Sequence, residues 1–124
     1  MEHCVFCQID LEREIILESE YFRAIYDIFP VSKGHLLIIS KRHCESYFDL
    51  TATEQQDAII QINLAKKIID EKFHPDAYNI GVNIGTVAGQ TIPHVHIHII
   101  PRYLGDMENP RGGVRGVIPE KQQY

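Results

Sequence analysis

The 124 residues contain no tryptophan, three cysteines and two methionines, and no apolar run approaches the length of a bilayer span. With no such run, a membrane-crossing segment is not expected. No charged-then-apolar leader opens the sequence, so nothing reads as secreted. Three cysteines, two of them in "CVFC", make no disulfide framework, which points to a reducing compartment and a cytoplasmic protein. Basic residues are also scarce: 12 Lys and Arg against 17 Asp and Glu leave a net charge of −5. That argues against a broad basic surface for nucleic acid, while leaving room for a local anion site. Internal repeats, low-complexity tracts and linkers are missing too. The expectation is one domain over residues 1–124, with enough apolar sequence (44%) to bury a core without staples.

What is present alternates with two different periods. Runs of β-branched and aromatic residues predict strands at Glu14–Glu18, Tyr21–Tyr26, Leu36–Ser40, Asn79–Asn83 and His94–Pro101. The stretch "DIFPVSKGH" is punctuated by Pro and Gly and reads as a turn. From Thr53 to about Lys72, apolar residues recur at Ala58, Ile62, Ala65 and Ile69, with Ile59, Leu64 and Ile68 widening the stripe. That is a helix, with Thr53 as its N-cap and "FHP" as its end. The tail 105–124, rich in Gly and Pro, shows no period and is expected to be irregular and mobile. The fold class is α+β: a mostly antiparallel five-stranded sheet with one long helix and a short one.

The most informative segment is "GQTIPHVHIHII". Val95, Ile97 and Ile99 alternate with His94, His96 and His98, so a strand puts the aliphatics on one face and the imidazoles on the other. Three roles compete for that row. The histidines could be half-buried polar side chains with ordinary partners, although three on one face resist both burial and protonation. They could hold a catalytic metal, yet the outer Cα atoms of such a row lie about 13 Å apart at roughly 3.3 Å per residue. All three rings then fail to reach about 2.1 Å from one ion. The third role is nucleophilic: a central neutral imidazole attacks phosphorus, and its neighbours bind the phosphate.

"HVHIHII" resembles the His-φ-His-φ-His-φ-φ signature of the histidine-triad (HIT) nucleotide hydrolases and transferases. The likeness extends to "GQT" and to "YDIFPVSKGHLLIISKRH", and so covers most of the chain up to about Arg102. It implies a HIT-like fold with His96 as the nucleophile that forms a nucleotidyl-histidine at an α-phosphate. It further implies His98, His35 and His94 as the accompanying catalytic histidines. Asn83 and Gln90 become amides around the phosphates, and Thr91 a hydroxyl near the bridging oxygen. By the same likeness Asp27 accepts from the ribose hydroxyls, and Val5, Phe6, Ile9, Ile25 and Ile28 form the base pocket. On its own, Asp27 also reads as a turn residue, and those apolar residues as core.

Relatives with this CxxC bind a structural zinc through two cysteines, a histidine after the third strand and the first triad histidine. Here those are Cys4, Cys7, His43 and His94, with His3 or Cys44 as lesser alternatives and reduced structural thiols as the rival. A closed Cys2His2 set leaves no position for a water to be activated. The implied substrates are dinucleoside polyphosphates or adenylated small molecules, bound as an adenosine nucleotide without organic cofactor. The implied assembly is a homodimer. Arg111 and Arg115 in the tail, or Arg102, could reach further phosphates. One rival is a purine nucleoside phosphoramidase of the same family, a branch in which serine at the Thr91 position and a Trp-bearing C-terminus are commoner. The other is a nucleotide-binding regulatory module without catalysis, although no triad position is substituted.

Overall fold

A computed structural model describes residues 4–11 and 13–124. His3 therefore lies outside the described residues. Five strands, β1 (Leu17–Glu18), β2 (Phe22–Tyr26), β3 (Leu36–Ser40), β4 (Ala77–Gly81) and β5 (His96–Arg102), form one antiparallel sheet in the order β1-β2-β3-β5-β4. One long helix, α1 (Ala52–Phe73), packs against it, and a short 3-10 segment, Val5–Leu11, opens the chain.

Period-two alternation decides what each face of the sheet carries. Ala24, Leu36, Ile38, Val95, Ile97 and Ile99 pack against Ala58, Ala65 and Ile69 of α1. Ile25, Leu37 and Ile39 instead pack with Phe6 and Ile9 of the 3-10 segment. β3 is therefore buried along its whole length, which suits its unbroken apolar run. The register pairs Ile97 with Ile38, and His96 and His98 with Ile39 and Leu37. Both histidines thus belong to the face away from α1.

Several boundaries differ from the expectations above: β1 begins at Leu17 rather than Glu14 and β2 at Phe22 rather than Tyr21, and larger elements shift as well. Helix α1 is capped by Thr51 rather than Thr53, because only Thr51 has a glutamate three residues on. Its side chain accepts from the Glu54 N–H at 3.1 Å, and Glu54 accepts from the Thr51 N–H at 2.8 Å. Glu54 is also gripped by both Nε and Nη2 of Arg42, a pairing that holds its carboxyl below the usual range. The inner face of α1 consequently carries Glu54 and Gln61, while Ile59, Ile60 and Leu64 are exposed. β4 begins and ends two residues early: its last pair is Gly81 with His98, after which the chain diverges. β5 starts at His96 rather than His94, since a turn bond from the His94 N–H to the Ile92 carbonyl precedes it. The tail is not wholly irregular, for 3-10 turns form at Gly113–Val117 and Pro119–Lys121.

Gly34, in the turn before β3, has φ +88, and a Cβ there would lie 2.7 Å from the Phe73 ring. That close approach fixes where β3 enters relative to the end of α1, and with it the position of His35.

Candidate active site and metal cluster

The hydrogen bonds of the histidine rings settle their tautomers without reference to any ligand. The His94 carbonyl accepts from Nδ1 of His96 at 2.8 Å, so Nδ1 carries the proton and Nε2 is left with a free lone pair. Ser40 does the same for His94: its carbonyl accepts from Nε2 at 2.6 Å, which frees Nδ1. At His35 the Val31 N–H donates into Nδ1 at 3.1 Å, so the proton sits on Nε2. That Nε2–H donates to Nδ1 of His98 at 3.0 Å, and His98 in turn presents Nε2–H. Three neighbouring imidazoles therefore differ in kind: His96 offers a lone pair, His98 a donor, and His94 a lone pair on the opposite nitrogen.

His96 and His98, with ring centroids 5.2 Å apart, stand in the wall of a cavity of about 430 Å3. Asp27, Asn83 and Thr91 line the same cavity, as do Val5, Phe6 and Ile28. The departure of the chain from β4 after Gly81 is what turns Asn83 into it. His35 does not line this cavity and reaches it through His98. Ile9 and Ile25 also stay out of the wall; they lie buried in the core with Ile39, behind Phe6 and Leu37, which do line the cavity. Gln90 is committed elsewhere. Its amide donates to the carbonyls of Glu45 and Ile92 and accepts from the Gly85 N–H, tying down the loop that carries Gly89 and Thr91.

Phe29 and Arg13 are among the lining residues that carried no signal in the sequence. Phe29 is 82% exposed, and its N–H donates to Oδ1 of Asp27 at 2.9 Å. Arg13 lines the cavity as well, its guanidinium donating to the Tyr26 carbonyl. A lone arginine ahead of β1 has no period or motif to mark it. Arg102 is spent on both oxygens of Asp106 and on Asn79 Oδ1, and it lines neither this cavity nor its neighbour.

On the far side of His94 a second cluster forms. Nδ1 of His94 lies 3.3 Å from Cys4 Sγ, 3.5 Å from Cys7 Sγ and 3.2 Å from Nδ1 of His43, and Cys7 Sγ lies 3.2 Å from His43 Nδ1. Tetrahedral zinc with ordinary Zn–S and Zn–N lengths separates such donors by roughly 3.3–3.8 Å. The donor set therefore fits a closed Cys2His2 centre, and the Ser40 carbonyl supplies the outer hydrogen bond that aims the His94 lone pair inward. Cys44 is buried and forms no part of this set. Asp27, His35 and His98 also lie within 4.8 Å of one another. They do not present a ligand set, because the Val31 N–H occupies Nδ1 of His35 and keeps the proton on the nitrogen that would have to ligate.

Burial pushes the pKa of His98 down to about 4, helped by the neighbouring His96 and His35. It lowers His35 as well, against the pull of Asp27. An unfolded histidine titrates near 6.5, so between pH 6.5 and 4 the unfolded chain takes up a proton that folded His98 refuses. Stability should therefore fall as pH drops through that window, and His98→Gln should flatten the slope. Urea midpoints of both proteins at pH 7, 5.5 and 4.5 test this; parallel slopes would reject it.

Residues 8–105 match the family model described as the HIT domain. A protein of Methanocaldococcus jannaschii named as an uncharacterized HIT-like protein is 39% identical over 108 residues, covering 85% of this chain and 83% of the relative. The bis(5'-adenosyl)-triphosphatase of Dictyostelium discoideum is 37% identical over 98 residues, 79% of this chain and 66% of that one. The asymmetrical bis(5'-nucleosyl)-tetraphosphatase of Schizosaccharomyces pombe is 34% identical, and this chain spans 56% of its length. Among solved structures, a histidine triad family protein of Mycobacterium smegmatis, described as zinc-bound, superposes with a TM-score of 0.79 at 34% identity over 87% of this chain and 81% of that one.

Proposed function

The chain belongs to the histidine-triad family, and from that premise we propose that it hydrolyses dinucleoside polyphosphates, adenosine nucleotides first among them, through a covalent bond to His96. The observation that carries this reading is the single free lone pair on Nε2 of His96 at the wall of the cavity, fixed by the bond from Nδ1 to the His94 carbonyl. Nε2 attacks the α-phosphorus, the bond to the bridging oxygen breaks, and that oxygen leaves with the electron pair. The imidazolium so formed keeps its Nδ1–H against the carbonyl dipole, which stabilises the positive ring. His98 donates through Nε2–H to a phosphate oxygen, and Asn83 and Thr91 add neutral donors. Water then adds to phosphorus, loses a proton, and the P–N bond breaks to return neutral His96. Positioning and charge stabilisation do the work, as phosphoryl-type transfer requires.

Asp27 has lone pairs to spare beyond the Phe29 N–H, so it accepts both vicinal ribose hydroxyls. Val5, Phe6 and Ile28 flank the base. Cys4, Cys7, His43 and His94 would hold zinc, which when bound supplies a cross-link between the N-terminal segment and the entrance to β5. Exposed Ile59, Ile60 and Leu64 on α1 and the unpaired edge of β4 are consistent with a homodimer.

Incubation with diadenosine triphosphate and tetraphosphate in 18O-labelled water is the test. The expected products are AMP carrying the label plus the complementary nucleotide, formed faster than from adenosine phosphoramidate. Label in the other product places the cut elsewhere. Faster phosphoramidate cleavage favours the phosphoramidase, and no turnover of any of them leaves a binding module.

A further inference from the structure

Five large apolar side chains, Phe29, Val31, Ile80, Val114 and Val117, are exposed around a single hollow. It is a second cavity of about 600 Å3 beside the first, and the two share Asp27, Phe29, Asn83 and His98 as walls. Apolar surface gathered in this way costs free energy unless something covers it. No lysine or arginine among the described residues lines the second cavity. Its chemistry suits an uncharged aromatic ring better than additional phosphates.

The tail that closes this hollow is built, not draped. Gly112 has φ +89, and a Cβ there would meet the Gln122 carbonyl oxygen at 1.8 Å, so the fold-back admits only glycine. Arg111 and Arg115, which the sequence offered as phosphate ligands, instead face the Tyr124 ring at 5.3 and 4.4 Å. Arg115 also donates to the Lys121 carbonyl. The arginines hold the tail shut, and Val114 between them and Val117 just after them line the cavity.

We propose that this second cavity seats the leaving nucleoside of a dinucleoside polyphosphate, with Phe29 and the tail residues Val114 and Val117 against its base. The proposal rests on the hydrolase reading above and names its substrate class. His96 lines only the first cavity. In-line displacement puts the departing oxygen on the side of phosphorus away from Nε2, and the phosphate chain then crosses at His98 and Asn83, the two hydrogen-bond donors among the four residues common to both cavities. Pockets of this size are ordinary for a nucleoside-sized ligand.

Adenosine 5'-tetraphosphate and diadenosine tetraphosphate, both carrying methylene in place of the α,β-bridging oxygen so that neither is cleaved, differ by the second nucleoside, and calorimetry on the full chain measures both affinities. The wild type should prefer the two-nucleoside ligand by about tenfold, and the Val114→Ser/Val117→Ser double variant should lose that preference while still binding adenosine 5'-tetraphosphate. An unchanged ratio in the variant overturns the proposal. So does a variant that changes only the sedimenting mass, since the hollow would then be a contact with a second copy. If the hydrolase reading alone fails, the preference persists without turnover. If the subsite alone fails, turnover persists without the preference. Binding of neither nucleotide rejects both.

Discussion

His96→Ala is expected to lower kcat for a diadenosine polyphosphate by on the order of 10^4-fold while leaving nucleotide affinity within a few-fold of wild type. That factor corresponds to about 5.5 kcal/mol of barrier, too large for a lost contact and of the size expected for a lost nucleophile. The case rests on the division of protons among the rings. Nδ1 of His96 is committed to the His94 carbonyl and Nε2 is the only nitrogen able to form a bond to phosphorus. His98 cannot stand in for it, because Nδ1 of His98 already accepts from His35 and Nε2 bears the proton. His96→Gln separates chemistry from shape: it refills much of the volume beside Phe6, whose ring lies 5.0 Å from the imidazole, yet has no nucleophilic nitrogen. Both variants should also fail to retain radiolabelled adenylate after quenching in alkaline denaturant, where a P–N bond survives, whereas wild type retains it. A His96→Ala protein that turns over at the wild-type rate ends the covalent mechanism.

How much of this was legible beforehand depends on how local the determinants were. Alternation over 94–100 is a property of seven consecutive residues, so the separation of Val95, Ile97 and Ile99 from the imidazoles could be read directly. The tautomers could not: the Ser40 carbonyl that sets His94 comes from 54 residues away, and the short-range bonds of His96 to the His94 carbonyl and of Val31 to His35 depend on backbone turns that no residue pattern encodes. Gln90 illustrates the same limit: its partners include Glu45, which lies 45 residues away in the chain. Which apolar residues of the N-terminal segment face the cavity turns on a kink at Gln8, where φ is −115 and ψ is 21. No periodicity encodes that kink, and a regular helix would have grouped Ile9 with Val5. The tail misled for a different reason. Glycine-rich sequence reads as irregular, but here the glycines are what permit the fold-back on which Tyr124 and the two arginines close.

Removing the metal cluster is expected to cost stability before it costs chemistry. Gently purified protein should contain one zinc per chain, and chelation should lower Tm by roughly 10 °C or more, the equivalent of about 3–4 kcal/mol for a domain of this size. The cluster joins three separate stretches: the 3-10 segment through Cys4 and Cys7, the loop after β3 through His43, and the entrance to β5 through His94. Without a cation, the lone pair of His94 Nδ1 faces His43 Nδ1 at 3.2 Å, and burial holds Cys7 as the neutral thiol, so metal uptake must release protons. Zinc affinity should accordingly fall as pH drops. His43→Asn is the discriminating variant, because His43 has no part in the cavity, while the carbonyl of His94 orients His96. This variant should bind less zinc and melt early whether or not chelator is present, yet keep most of its kcat at 25 °C. Immediate loss of turnover on chelation, with Tm unmoved, would instead make the metal part of the reaction. Equal melting of loaded and stripped protein would show that the four residues carry no structural ion.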